Sequence, residues 1–202
     1  MTEFHDFFIS KELEDEAEEF NWSQKSIDTS VKILESDSWG ELKQKIGENR
    51  EDYDILAFRG GDNKLNRKAF SEPRMDIVLH PGNGRKDSGM NHVDAEKAAE
   101  NNVAVGFSLK KIPEDPKRQS QELGKWRRNL KLCEKYDAPF LITTEADSKK
   151  DLRKPLDLAS VISSLDHQGR KAVSQIPDEI LERNLESQRD SEVRPGHEVT
   201  EQ

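Results

Sequence analysis

One stretch constrains the fold of this chain more than any other: positions 53–89, YDILAFRGGDNKLNRKAFSEPRMDIVLHPGNGRKDSG. The apolar run Tyr53–Phe58 reads as a strand, and Gly60-Gly61 break it with the backbone freedom that a tight turn needs. Asp62 stands at an N-cap position, ahead of a basic helix expected over Asn63–Phe70. A second apolar run, Met75–Leu79, ends at His80-Pro81 and leads into a glycine-rich loop carrying Arg85 and Lys86. Strand, turn, helix and strand make the unit of parallel α/β folds, whose strands carry their C-terminal loops on one edge. Arg59, Lys64, Arg67, Arg85 and Lys86 are therefore expected to converge there as an anion-binding edge.

The rest of the chain continues the alternation. Phe4, Phe7, Phe8 and Ile9 mark a first strand within Glu3–Ser10, and the acidic stretch Lys11–Phe20 reads as a solvated helix. Ile27–Leu34 reads as a strand, and Ser36–Trp39 caps a helix whose Trp39, Leu42 and Ile46 follow helical spacing. Beyond the glycine loop come a helix at Val93–Asn102 and a strand at Val103–Leu109, with Lys110-Lys111 just past its end. Ile112–Gln119, with two prolines, reads as a loop. Ser120–Tyr136 is the clearest amphipathic helix, with Leu123, Trp126, Leu130 and Cys133 on one stripe. Lys125, Arg128, Lys131 and Lys135 lie opposite, and Arg127 lies between the two faces. A strand at Ala138–Thr144, a helix at Pro155–Leu165 and a last helix opening at Ile176-Pro177 complete the pattern. Six candidate strands alternate with helices, which suits an open doubly wound sheet and a closed barrel equally well. One domain is expected over 1–190, with a polar, disordered tail over 191–202.

Charge is unevenly spread. The formal net charge of -9 speaks superficially against a nucleic-acid partner. Residues 1–57 hold 16 acids against 6 bases and residues 172–202 hold 8 against 3, whereas residues 58–171 hold 23 bases against 17 acids. A basic middle between acidic ends is the asymmetry that marks a binding face. No apolar run approaches a membrane span, the N-terminus lacks the features of a secretory signal, and the lone Cys133 fits a reducing cytoplasm.

Metal chemistry is poorly served. The five histidines are scattered, and His5 stands alone in FHDFFIS; His80, at a strand end, is the best single candidate and reads first as a structural hydrogen bonder. Glu145 and Asp147 follow a strand where a barrel places its chemistry, yet capping of the next segment is the expected role. Lys149, Lys150, Arg153 and Lys154 are expected to neutralise them.

The motifs GGD, LNRKA, DIVLHP and GRKDSG, followed in order by AAENNVAVGFSL, RRNLKLCEKYDAPFLIT, DLRKPLDL and IPDEILERN, resemble the ribonuclease P p30 subunit family. The similarity covers most of 53–187. It departs at Glu145-Ala146-Asp147, where closer members tend to carry Ser-Ser-Asp-Ala. The resemblance implies a TIM-like (β/α) barrel related to the polymerase-and-histidinol-phosphatase superfamily, whose first strand carries a paired-histidine motif that is missing here. It also implies an RNA-binding subunit of the enzyme that removes 5′ leaders from precursor tRNA. Catalysis then belongs to the RNA subunit and its Mg²⁺, with no cofactor on the protein and no independent activity. Ribonuclease P RNA and protein component 2 are the implied partners, and precursor tRNA is met through the holoenzyme. The residues expected at RNA phosphates are Arg59, Lys64, Arg67, Arg85, Lys86, Lys110, Lys111, Arg127, Arg128, Arg153 and Lys154. A metal-dependent phosphoesterase and a non-catalytic interaction scaffold are the alternatives.

Overall fold

The computed structural model describes residues 2–192. Five strands, Val31–Leu34 (β1), Ile55–Arg59 (β2), Ile77–Leu79 (β3), Ala104–Ser108 (β4) and Phe140–Thr143 (β5), form one sheet in the order β1-β2-β3-β4-β5. Every pairing is parallel. This order separates the two folds that the sequence leaves open. A doubly wound sheet reverses its strand order and places helices on both faces. Strands that advance in one direction through right-handed crossovers put their helices on one face, which is the winding of a TIM-like barrel.

Two short helices, Glu14–Glu19 (α1) and Gln24–Asp28 (α2), precede the sheet. Trp39–Asn49 (α3), Asn63–Phe70 (α4), His92–Glu100 (α5) and Pro116–Tyr136 (α6) connect the strands, and Pro155–Ser163 (α7) and Gln175–Glu192 (α8) follow β5. Strand residues alternate between two cores, as a period of two requires. Leu56, Phe58, Val78, Val105, Phe107, Phe140 and Ile142 pack with the helices on the outer face. Ile55, Ala57, Ile77, Leu79, Ala104 and Leu141 face the interior, where Phe7, Phe8, Ile180 and Leu181 meet them. The inner face is thus filled by α8 and the N-terminal segment.

That segment corrects the expected first strand: residues 3–10 pair with no strand of the sheet. Phe7 and Phe8 enter the same inner core although they are adjacent, which an alternating strand forbids. Asp6 anchors the segment by its side chain. Its carboxylate accepts from Thr143 Oγ1, from Thr144 N and Oγ1 at 2.7 Å each, and from Phe8 N at 3.1 Å. Burial pushes the Asp6 carboxyl above its usual range, although these four donors pull the other way. His5 N to Val173 O and Ser10 N to Ala146 O, both 2.8 Å, complete the attachment to the end of β5 and the turn before α8.

Other boundaries move for local reasons. The strand expected over Ile27–Leu34 is divided between α2 and β1; Thr29 Oγ1 donates to Lys25 O and closes the helix first. Helix α6 starts four residues earlier than expected, because Asp115 accepts from Arg118 N and Pro116 takes the first helical position. Gly47 is accommodated inside α3, which runs on to Asn49. Residues 191 and 192, expected in the tail, continue α8, and 193–202 lie outside the described residues.

At the N-terminal end of the barrel a buried network centres on Asp76. Its carboxylate accepts from Arg50 Nη1 (2.6 Å), Leu56 N (2.7 Å), Asn184 Nδ2 (2.8 Å) and Arg183 Nη2 (3.0 Å). It therefore ties α3, β2 and α8 to the start of β3.

Candidate nucleic-acid interface at the barrel mouth

The loops after β2 and β3 are knit together by one side chain. Asn66, on α4 and fully buried, donates to Pro81 O (2.8 Å) and Gly89 O (2.9 Å) and accepts from Gly61 N (3.1 Å). Gly89 must be glycine: its φ is +70°, and a Cβ there would lie 1.7 Å from Pro81 O. Asp62 caps α4 through Lys64 N and Leu65 N, as its place after the glycines predicts. Helix α6 clamps the β3 loop from the side, with Asn129 Nδ2 on Ser88 O (2.8 Å) and Lys125 Nζ on Gly82 O (3.3 Å).

On this frame the eleven expected cations fall into two groups and a remainder. Arg85, Lys86 and Arg128 line an open cavity of about 840 Å³ between the β3 loop and α6, together with Lys125. Arg59, Lys110 and Lys111 line a cleft of about 450 Å³ at the mouth of the barrel. The other five line neither. Lys64 and Arg127 are exposed on α4 and α6, and Arg67 Nε bonds Asp94 at 3.0 Å. Arg153 turns its guanidinium onto Lys150 O (2.7 Å) and Leu152 O (2.6 Å), and Lys154 is exposed ahead of α7.

Several of these cations are already paired. Arg85 holds Asp87 through two bonds of 2.7 Å, which keep that exposed carboxyl at about 2, and Lys110 pairs with Asp147. Lys64, Lys86, Lys111, Arg127, Arg128 and Lys154 make no ion pair among the described residues. Exposed pairs contribute about 0–1 kcal/mol, so a polyanion can displace Asp87 or Asp147 at little cost.

The centre of the mouth is different. Glu145, buried at the end of β5, accepts from Arg59 Nη2 (2.9 Å) and shares a 2.7 Å hydrogen bond with His80 Nε2. Burial alone would raise its carboxyl; the His80 ring and the Arg59 guanidinium overcome that and hold it at about 2. Both ends of this bond sit in left-handed backbone, His80 at φ +51° and Glu145 at φ +48°. Non-glycine residues pay for that conformation, and it concentrates at functional sites. Glu145 thus anchors a buried triad and does not cap the next segment; Arg59 and Lys110, not the lysines and arginine of 149–154, neutralise this acidic pair. Lys149 instead faces Glu16 and Glu19 on α1. Among the described residues no three His, Cys, Asp or Glu side chains come together as metal ligands. His5 is buried with its Nε2 3.6 Å from Asp178, and burial lowers its pKa. No helix among the described residues is long and apolar enough to cross a membrane.

Sequence reasoning passed over Asn66, Asp6 and Lys11. Asn66 lay inside the basic helix with no outward sign of its role. Lys11 sat in an acidic stretch, and only the path of the N-terminal segment carries it to the mouth cleft.

Residues 16–189 match the family described as RNase P subunit p30. The chain belongs to that family. Among curated relatives, ribonuclease P protein component 3 of Methanosarcina mazei is 36% identical over 160 residues, spanning 77% of this chain and 66% of the relative. The Methanocaldococcus jannaschii component 3 is 31% identical across 78% of this chain and 72% of its own length. A chain in a cryo-EM structure of archaeal ribonuclease P with mature tRNA superposes with a TM-score of 0.75 at 28% identity, covering 98% of this chain and 87% of that one. This p30-family chain therefore spans about two thirds of the length of the Methanosarcina relative that it matches.

Proposed function

We propose that this p30-family chain is an RNA-binding protein subunit of ribonuclease P and takes part in the removal of 5′ leaders from precursor tRNA. The family match over 16–189 carries the reading. The physical support is the basic C-terminal edge, which offers Arg and Lys side chains on rigid loops to phosphates without reading bases. In this reading residues 1–190 act as one unit in the cytoplasm. The partners are the ribonuclease P RNA and protein component 2, with precursor tRNA met through the holoenzyme. Mg²⁺ and the hydrolytic step belong to the RNA, and the protein lowers the Mg²⁺ requirement by supplying fixed positive charge. A phosphoesterase reading needs several convergent His and carboxylate ligands, and no such cluster forms among the described residues. Reconstitution of leader removal from the RNA subunit, component 2 and this chain tests the proposal. Cleavage at low Mg²⁺ that requires the chain supports it. Metal-dependent phosphoester turnover by the chain alone, lost in His80→Ala, would favour the phosphoesterase instead.

A further inference from the structure

The mouth cleft has two unlike surfaces. Its rim carries Lys11, Arg59, Lys110 and Lys111 against only Glu145 and Asp147. Its floor is apolar, formed by Phe7, Phe8 and Ile9 on the N-terminal segment and by Ile27, Val31 and Ile33. Val31 and Ile33 are half-buried because β1 is the edge strand and the N-terminal segment bonds to β5 at the other edge. The cleft therefore lies between the N-terminal segment and β1.

Arg59 supplies the polar focus. Glu35 holds its Nε at 3.1 Å and Glu145 its Nη2 at 2.9 Å, so the guanidinium is fixed in direction. Its Nη1 is shielded from water and has no acceptor. A cation-rimmed cleft of about 450 Å³ with an apolar floor has the size and character of a site for one small amphipathic anion. A lone inorganic anion would use the rim and waste the floor. A nucleotide uses both, because its base has apolar faces and its phosphate takes several donors.

We infer that the mouth cleft receives a single unstacked nucleotide, its phosphate on Arg59, Lys110 and Lys111 and its base over Phe8 and Ile33. The inference rests on the RNA-subunit reading and narrows it: one nucleotide leaves the strand and enters the barrel. The phosphate displaces Asp147 from Lys110 and lies against the positive charge of Arg59, while Glu145 and His80 stay in place beneath.

The test titrates the full chain with a single-stranded RNA hexamer bearing one fluorescent purine, with a nucleoside 5′-monophosphate, and with inorganic phosphate. The expected result is saturable binding of the hexamer at one site, weakened about tenfold or more in Lys111→Ala and in Arg59→Lys. The lysine variant keeps the charge beneath the site and loses the planar guanidinium that Glu35 and Glu145 orient. Thermal melts verify that both variants are folded. Displacement of the hexamer by the monophosphate identifies a site that also takes free nucleotides; failure of the monophosphate to compete identifies an RNA strand as the source. Either outcome supports the site. Inorganic phosphate competing as well as the monophosphate overturns the role of the floor, and hexamer binding indifferent to both variants overturns the site. Leader removal measured on the same proteins separates the two levels. Processing that depends on the chain while the cleft binds nothing would sink this inference and leave the ribonuclease P reading intact. Nucleotide binding by a chain that has no effect on processing would do the reverse.

Discussion

The two ends of the barrel use the same chemistry to opposite ends. At the N-terminal end Asp76 is 1% exposed and receives four donors, two of them from arginines. At the mouth Glu145 is equally an arginine-bound carboxylate, but it sits in left-handed backbone beside a left-handed His80, and its arginine keeps one donor without an acceptor. The first network is saturated and joins three elements that would otherwise drift apart. The second is incomplete and strained, under exposed lysines. An ion pair is not by itself a sign of function. The candidate site differs from the scaffold in the left-handed backbone at both ends of its hydrogen bond and in the lysines that stand over it.

The largest effect is expected where the network is saturated. Asp76→Ala strands Arg50, Arg183 and the Leu56 amide, and breaking a buried pair in this way costs about 3–5 kcal/mol. Denaturant unfolding should register that loss, while RNA affinity of the protein that remains folded should hold. A stability change below about 1 kcal/mol would erase the contrast between the two ends.

Glu145 sharpens the contrast through pH. Its folded carboxyl is held at about 2 against an ordinary value near 4.5, so its stabilising contribution is present above roughly pH 4.5 and is lost as pH falls toward 2. Glu145→Gln should be less stable at neutral pH by about 1–3 kcal/mol, the cost of an unsatisfied buried partner, and should show a shallower loss of stability in that acid window. Acid unfolding of both proteins, followed by circular dichroism, checks the slope. Parallel curves would mean that the triad carries no charge coupling.

The second basic group should matter to RNA and not to folding. Arg85→Ala with Lys86→Ala leaves the core untouched, and stability should stay within about 0.5 kcal/mol. The dependence of RNA affinity on salt should flatten by about one unit per lost phosphate contact. The smallest effect is expected from Lys43→Ala on the exposed outer helix α3, which should change neither stability nor RNA affinity measurably.

Much of the frame is legible in the sequence. Asp62 after two glycines marks the start of α4, and the apolar runs of β2 to β5 are bounded by recognisable turns. The stripe of Trp126, Leu130 and Cys133 faces the outer core as its spacing requires. The site was half legible. Lys110 and Lys111 could be placed at a strand end, but Arg67 gave its charge to Asp94, 27 positions away, and Arg153 folded back onto the carbonyls of its own turn, which composition alone does not show. The N-terminal segment misled for a clear reason. Four apolar residues within Glu3–Ser10 imitate a strand, while the segment is fastened by Asp6 reaching Thr143 and Thr144, a bond 138 positions away that leaves no local trace.

The mouth, with lysines that stand free of the core, is the proposed face for RNA. The most direct measurement is ribonuclease P RNA affinity across a salt series for wild type and for Lys110→Ala with Lys111→Ala, each in complex with component 2. Weaker binding is expected at every salt concentration, with a slope shallower by about two units, one for each lost phosphate contact. An unchanged slope and affinity in that variant, together with a loss of both in Lys43→Ala, would place the RNA on the outer helices and contradict it.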